Sequence, residues 1–129
     1  MSVYHGDLFK RKSTGGKKNP YRGKRKYEMG RPSTLTRIGD GNKTKKIRVK
    51  GGGLKIRVLQ AAYANVAVEK GKVVKAKILD VIENPANREF GRMKVITKGA
   101  VIKTEIGDAV VTSKPGSTGV VNARLVSAG

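Results

Sequence analysis

From Thr34 onward, apolar and polar residues alternate in short runs rich in Val and Ile. Nine runs stand out, at 34–39, 44–50, 54–60, 63–69, 72–83, 93–98, 100–106, 109–113 and 119–126. Turn signals separate them: GDGN at 39–42, GGG at 51–53, Lys-Gly at 70–71 and 98–99, Gly-Asp at 107–108 and KPGSTG at 114–119. Alternation with a period of two is what a half-buried strand needs, because successive side chains point to opposite faces. Many short strands at this spacing predict an all-β body, either a small antiparallel barrel or a sandwich. One short helix fits the pattern over 85–91, with Asn84 as its N-cap and Pro85 as its first residue; a loop is the alternative.

The first 33 residues lack this pattern. In KRKSTGGKKNPYRGKRKYEMGRP, residues 10–32, ten of 23 residues are Lys or Arg, and Glu28 is the one acid. The apolar or aromatic residues there are Tyr21, Tyr27 and Met29. Gly15, Gly16, Gly23 and Gly30, with Pro20 and Pro32, break helix and strand alike. Such a stretch buries too little apolar surface to offset its own ordering entropy. The chain therefore reads as a long basic extended N-terminal arm, 1–33, followed by a β-barrel-like domain, 34–129. The arm is either a disordered basic tail or a segment that orders on its partner. Tyr21 and Tyr27, interleaved with the charges, can stack on bases, and the glycines let backbone N–H groups approach phosphates closely.

Charge sharpens the picture. The chain carries 29 basic and 9 acidic residues, a net charge of +20. Residues 1–57 hold 18 Lys or Arg against Asp7, Glu28 and Asp40, so most of the excess lies in the first half. Self-repulsion at that density calls for a polyanionic partner. A membrane surface fits poorly. No apolar run approaches the roughly 18 residues of a spanning helix. VLQAAYANVAV at 58–68 is interrupted by Gln60 and Asn65. Residues 1–12 do not read as a signal peptide, and the basic segment lacks the apolar face of an interfacial helix. Nucleic acid is the expected partner, with no membrane association and no homo-oligomer.

The run TKKIRVKGGGLKIRVL, 44–59, predicts a hairpin with one cationic face. Ile47 and Val49 alternate with Lys46, Arg48 and Lys50; Ile56 and Val58 alternate with Lys55 and Arg57. Pairing Lys50 with Leu54 would mix charge and apolar groups on each face. Pairing Lys50 with Lys55 puts Arg48 opposite Arg57 and leaves the other face wholly apolar, and register is expected to follow the apolar face. Like charges placed opposite one another destabilise the pair. A phosphate bound over the strip would offset this; the bland alternative is a solvated basic face.

Catalytic chemistry has little to work with. The chain has no cysteine and one histidine, His5, near its terminus. Thiolate metal sites, disulfides and histidine-based zinc sites are therefore not expected. Asp80 and Glu83 could share a metal, although ordinary surface ion pairing is the simpler reading. GKKNPYRGKR and GGGLKIR both depart from the phosphate-binding loop pattern, and no GxGxxG occurs. The sequence points to no enzyme and no cofactor.

Three stretches together carry a resemblance: residues 10–32, with Ser13-Thr14-Gly15-Gly16, KRKYE at 24–28 and Gly30-Arg31 in order; TRIG at 36–39; and IRVKGGGLKIRVL at 47–59. They resemble the eukaryotic-type eighth protein of the small ribosomal subunit, a family shared by archaea and eukaryotes. KGAVIKTEIGDAVVTSKPGSTGVVNARL, 98–125, and the short length are similar to the archaeal branch. Gly53 stands where some relatives carry a polar residue. The resemblance covers nearly the whole chain. It implies a structural ribosomal protein of the cytoplasm, bound to small-subunit ribosomal RNA and to neighbouring small-subunit proteins. Carried over by position, the implied RNA contacts are Lys10, Arg11, Lys12, Lys17, Lys18, Arg22, Lys24, Arg25, Lys26 and Arg31, with Tyr21 and Tyr27 beside them. The hairpin adds Lys46, Arg48, Lys50, Lys55 and Arg57. Rival readings are an assembly factor absent from mature subunits, a general nucleic-acid chaperone and a small enzyme acting on nucleic acid.

Overall fold

Each of the nine alternating runs holds one strand. In chain order they are β1 (Thr36–Ile38), β2 (Lys43–Arg48), β3 (Leu54–Ala61), β4 (Tyr63–Glu69), β5 (Lys72–Glu83), β6 (Val95–Ile96), β7 (Val101–Thr104), β8 (Asp108–Val111) and β9 (Asn122–Leu125). The structure, a computed structural model, describes residues 3–126. The chain divides into two compact units, Met1–Ser33 and Thr34–Gly129.

Five strands of the second unit close into a barrel in the order β4-β5-β7-β8-β9. Each neighbour pair around the ring is antiparallel except β4 and β9, which run parallel with Val66 opposite Ala123. Strands that alternate in direction around an odd-numbered ring must meet in parallel at one seam. The expected barrel is present, and its purely antiparallel character is corrected at that seam. A second sheet, ordered β2-β3-β1-β6, contains one further parallel pair, β1 with β3.

The barrel interior is small, and the sequence matches it with small side chains. Ala64, Ala76, Ala109 and Ala123 are buried alongside Val66, Ile78, Val81, Ile102 and Val111. A narrow closed ring has room for side chains of this size and no channel. The buried threonines of this unit are hydrogen-bonded. Thr36 Oγ1 donates to the Val58 carbonyl at 2.7 Å, which ties β1 to β3. Thr104 Oγ1 donates to the Gly107 carbonyl at 2.6 Å.

Two local expectations are corrected. The helix α1 is Arg88–Arg92, and its cap is Asn87, whose side chain accepts from the Glu89 N–H at 2.9 Å. Asn84 is buried instead. Its amide donates to the Val95 carbonyl at 3.1 Å and accepts from the Thr97 hydroxyl at 3.0 Å, pinning β5 to β6. KPGSTG is more than a turn, since Pro115–Thr118 forms a short helix, α2, ending at Gly119 with φ +79°. A Cβ at Gly119 would lie 3.1 Å from Ile56 side-chain atoms, so both conformation and space hold this position to glycine.

Candidate nucleic-acid interface

No described residue between Val3 and Ser33 is buried, yet polar contacts close this segment into a loop. The His5 N–H donates to the Glu28 carbonyl at 2.9 Å, and the Gly30 N–H to the Val3 carbonyl at 2.5 Å. Arg22 lies at the centre. Its guanidinium pairs with Glu28, donates to the Tyr27 hydroxyl at 2.6 Å and sits 4.8 Å from the Tyr21 ring centroid. The Arg25 N–H caps the other Glu28 oxygen at 3.1 Å, which starts a 3₁₀ turn at Lys26–Glu28. Lys18 pairs with Asp7 at 2.6 Å. An inner loop brings Arg11 against Lys17, with Gly15 in the left-handed region at φ +83°.

These contacts sort the arm's cations. Its two acids are taken by Lys18 and Arg22. Lys10, Arg11, Lys12, Lys17, Lys24, Arg25 and Lys26 are exposed and have no acidic partner among the described residues. Lys24 covers the Tyr4 ring at 5.4 Å. Tyr21 and Tyr27 are 84% and 76% exposed, so most of their surface remains open although both rings meet Arg22. Arg22 itself is largely spent on holding the loop closed.

The hairpin pairs, but in a different register. Arg48 faces Leu54, Ile47 faces Lys55, Lys46 faces Ile56 and Lys45 faces Arg57. The turn decides this. Gly51 and Gly52 both take positive φ, and the Val49 N–H reaches the Gly53 carbonyl at 2.8 Å, so the loop is the three residues Lys50–Gly52. An apolar face could not overrule the turn, because no residue of β2 is buried and Ile47 is only half-buried. The single cationic strip is therefore overturned. Lys46 and Arg48 share a face with Leu54, Ile56 and Val58; Lys55 and Arg57 share the other with Lys45 and Ile47; Lys50 sits in the turn. Lys45, absent from the expected set, stands directly opposite Arg57. Arg57 also donates to the Thr34 hydroxyl at 3.2 Å.

The barrel exterior adds cations that the hairpin argument passed over. Lys75 and Lys77 project outward from β5, opposite Asn65 and Tyr63, and Lys75 lies 4.7 Å from the Tyr63 ring centroid. Their signal was legible, since both alternate with the buried Ala76 and Ile78. Asp80 pairs with Lys94 at 2.8 Å, which holds its carboxyl below the ordinary range. No group of three or more His, Asp or Glu gathers among the described residues.

Glu28 is expected to make the arm's closure pH-dependent. The Arg22 hydrogen bond, then the Arg25 N–H, holds its carboxyl below the ordinary glutamate range. A carboxyl lowered in the closed form supports closure above its ordinary pKa and loses that support as pH falls through the lowered value. In the RNA-free protein, exchange protection of the His5 and Gly30 amides is expected at neutral pH and is expected to vanish in acid, below the ordinary glutamate range. Glu28→Gln should lack that acid step. Amide exchange followed by NMR checks both, and an unchanged acid step in the variant would assign closure to another group.

Comparison with known proteins gives consistent matches over nearly the whole length. The family model described as Ribosomal protein S8e matches residues 6–126. Small ribosomal subunit protein eS8 of Staphylothermus marinus is 50% identical over 127 residues, covering 98% of each chain. Its counterpart in Hyperthermus butylicus is 52% identical over 128 residues, 98% of this chain and 93% of that one. The protein of the same name in Nanoarchaeum equitans is 52% identical over 106 residues, 81% of this chain and 83% of its own.

Proposed function

The chain belongs to the ribosomal protein S8e family, structural proteins of the small ribosomal subunit rather than enzymes, and from that premise we propose how it holds ribosomal RNA. The arm, residues 1–33, neutralises phosphates where RNA helices crowd together. The body adds the hairpin cations, Lys46 and Arg48 on one face, Lys45, Lys55 and Arg57 on the other, and Lys50 in the turn. One observation carries the reading. The arm's two acids are consumed internally, which leaves seven exposed cations with no carboxylate partner among the described residues and no core to bury against.

In this reading Arg binds phosphate through its planar fork and Lys as a point charge. Tyr21 and Tyr27 stack on bases, and Pro20 and Pro32 narrow the arm's free ensemble. Lys18 and Arg31 complete the arm's set of contacts, and Arg22 serves RNA binding indirectly, by holding the loop closed. Ion pairs at exposed positions are weak, so a phosphate can displace Asp7 from Lys18 at little cost. The protein works in the ribosome of the cytoplasm, beside neighbouring small-subunit proteins.

The test is sedimentation of the tagged full-length protein through a sucrose gradient after a moderately high-salt wash. Stoichiometric recovery with mature small subunits is expected. Recovery in precursor particles alone would make it an assembly factor, and loss from all particles would make it a loosely held chaperone.

A further inference from the structure

Where the second sheet meets the barrel there is a groove of about 210 Å³. Its floor is apolar: Val58, Ala61 and Val121 are each 2% exposed. Tyr63, 42% exposed, forms an aromatic wall, and Asn42, Asn65 and Lys75 stand around it. We propose that this groove receives a single unstacked base of ribosomal RNA. The inference rests on the reading above and adds to it a specific base site on the body.

Size is the first reason. Small-molecule pockets usually enclose about 300 Å³ or more, so this groove has room for one planar ring system and not for a whole nucleotide cofactor. The polar groups are the second. Asn65 donates through Nδ2 to Asn122 Oδ1 at 3.3 Å, and Asn122 is held in turn by Ser113 at 3.2 Å. That fixes the Asn65 amide and leaves its Oδ1 without a partner among the described residues. Asn42 accepts the Ala62 N–H at 2.8 Å through Oδ1, which leaves its Nδ2 unspent. One acceptor and one donor, each held in place by its other half, stand beside an aromatic ring.

That combination matches how unpaired RNA bases are read, by stacking on an aromatic face and hydrogen bonding at the base edge. Charge agrees. No carboxylate is among the described residues lining the groove, and Lys75 Nζ lies over one face of the Tyr63 ring, 4.7 Å from its centroid, from where it can swing to the phosphate of the same nucleotide as the base takes its place. A basic peptide would find no partner there.

The test uses ultraviolet crosslinking of the full-length wild-type protein bound to small-subunit ribosomal RNA, with crosslinks mapped by mass spectrometry. Base-edge reagents such as dimethyl sulfate then compare wild type with Tyr63→Ala and with Asn65→Ala. A crosslink from Tyr63 to one nucleotide is expected. That nucleotide should become about fivefold or more reactive in Tyr63→Ala, the weight of one base–aromatic stack, and should also gain reactivity in Asn65→Ala, which removes an edge hydrogen bond. The salt dependence of binding should not change, because no phosphate-binding cation is removed. A Tyr63 crosslink to a neighbouring ribosomal protein in assembled subunits would overturn the proposal in favour of a protein contact. No crosslink, with unchanged reactivities, would overturn it outright. Failure of the family-based reading looks different: the gradient would lose the protein, whatever Tyr63 touches.

Discussion

Removing residues 1–33 should flatten the salt dependence of ribosomal RNA binding more than any other single change. Each neutralised phosphate contributes about 0.7–0.9 to the slope of log K against log salt. The seven arm cations without an acidic partner would together contribute about five to six. A loss of that size corresponds to at least about a thousandfold in affinity near physiological salt. Titrating full-length and truncated protein against small-subunit RNA at several salt concentrations measures both quantities. Replacing Lys10, Arg11, Lys12, Lys17, Lys24, Arg25 and Lys26 by Gln, with the arm otherwise intact, should reproduce most of the effect. If truncation leaves affinity and slope alike, the arm does not bind phosphate.

Ile102→Ala is expected to be the most costly conservative truncation in the body. Ile102 is fully buried on β7, between Val81 of β5 and Ala109 of β8. Replacing a buried Ile by Ala typically costs about 2–5 kcal/mol, and the cost rises when neighbours cannot close over the cavity. Here they cannot. The wall is a hydrogen-bonded ring, and many of the facing residues are alanines that have nothing to extend into the space. We expect about 3–5 kcal/mol, a large share of the roughly 5–15 kcal/mol that stabilises a domain. Val73→Ala, at a position 63% exposed, should stay within about 0.5 kcal/mol. Urea unfolding with an unchanged m-value measures both. A cost below about 1 kcal/mol for Ile102→Ala would mean that the barrel interior collapses readily.

Much of this molecule is legible in its residues. Alternation of Val and Ile with Lys placed nine strands, because a pleated strand shows one face to the core and one to water. The motifs at 10–32, 36–39 and 47–59 resembled the family to which the chain belongs. The scarcity of apolar residues over 10–32 foretold a stretch in which no described residue is buried.

Other features arise only when distant residues meet. Arg22 and Glu28 read as members of a charge run and Tyr27 as a base-stacking ring, and it is the closure of Val3 against Gly30 and of His5 against Glu28 that makes Arg22 a structural residue. Asn84 looked like a cap because it precedes a proline, but β6 brought Val95 and Thr97 within its reach. The hairpin register followed two left-handed glycines instead of the hydrophobic pattern, because β2 buries nothing that could outweigh the turn. The groove at Tyr63 joins residues from five separate segments, and no local pattern could have announced it. By itself, then, the sequence determined which stretches become strands, where the charge lies and which family the chain resembles, since these depend on neighbours along the chain. Tertiary structure alone decided the parallel seam and the base-sized groove, because each depends on which strands come to lie side by side.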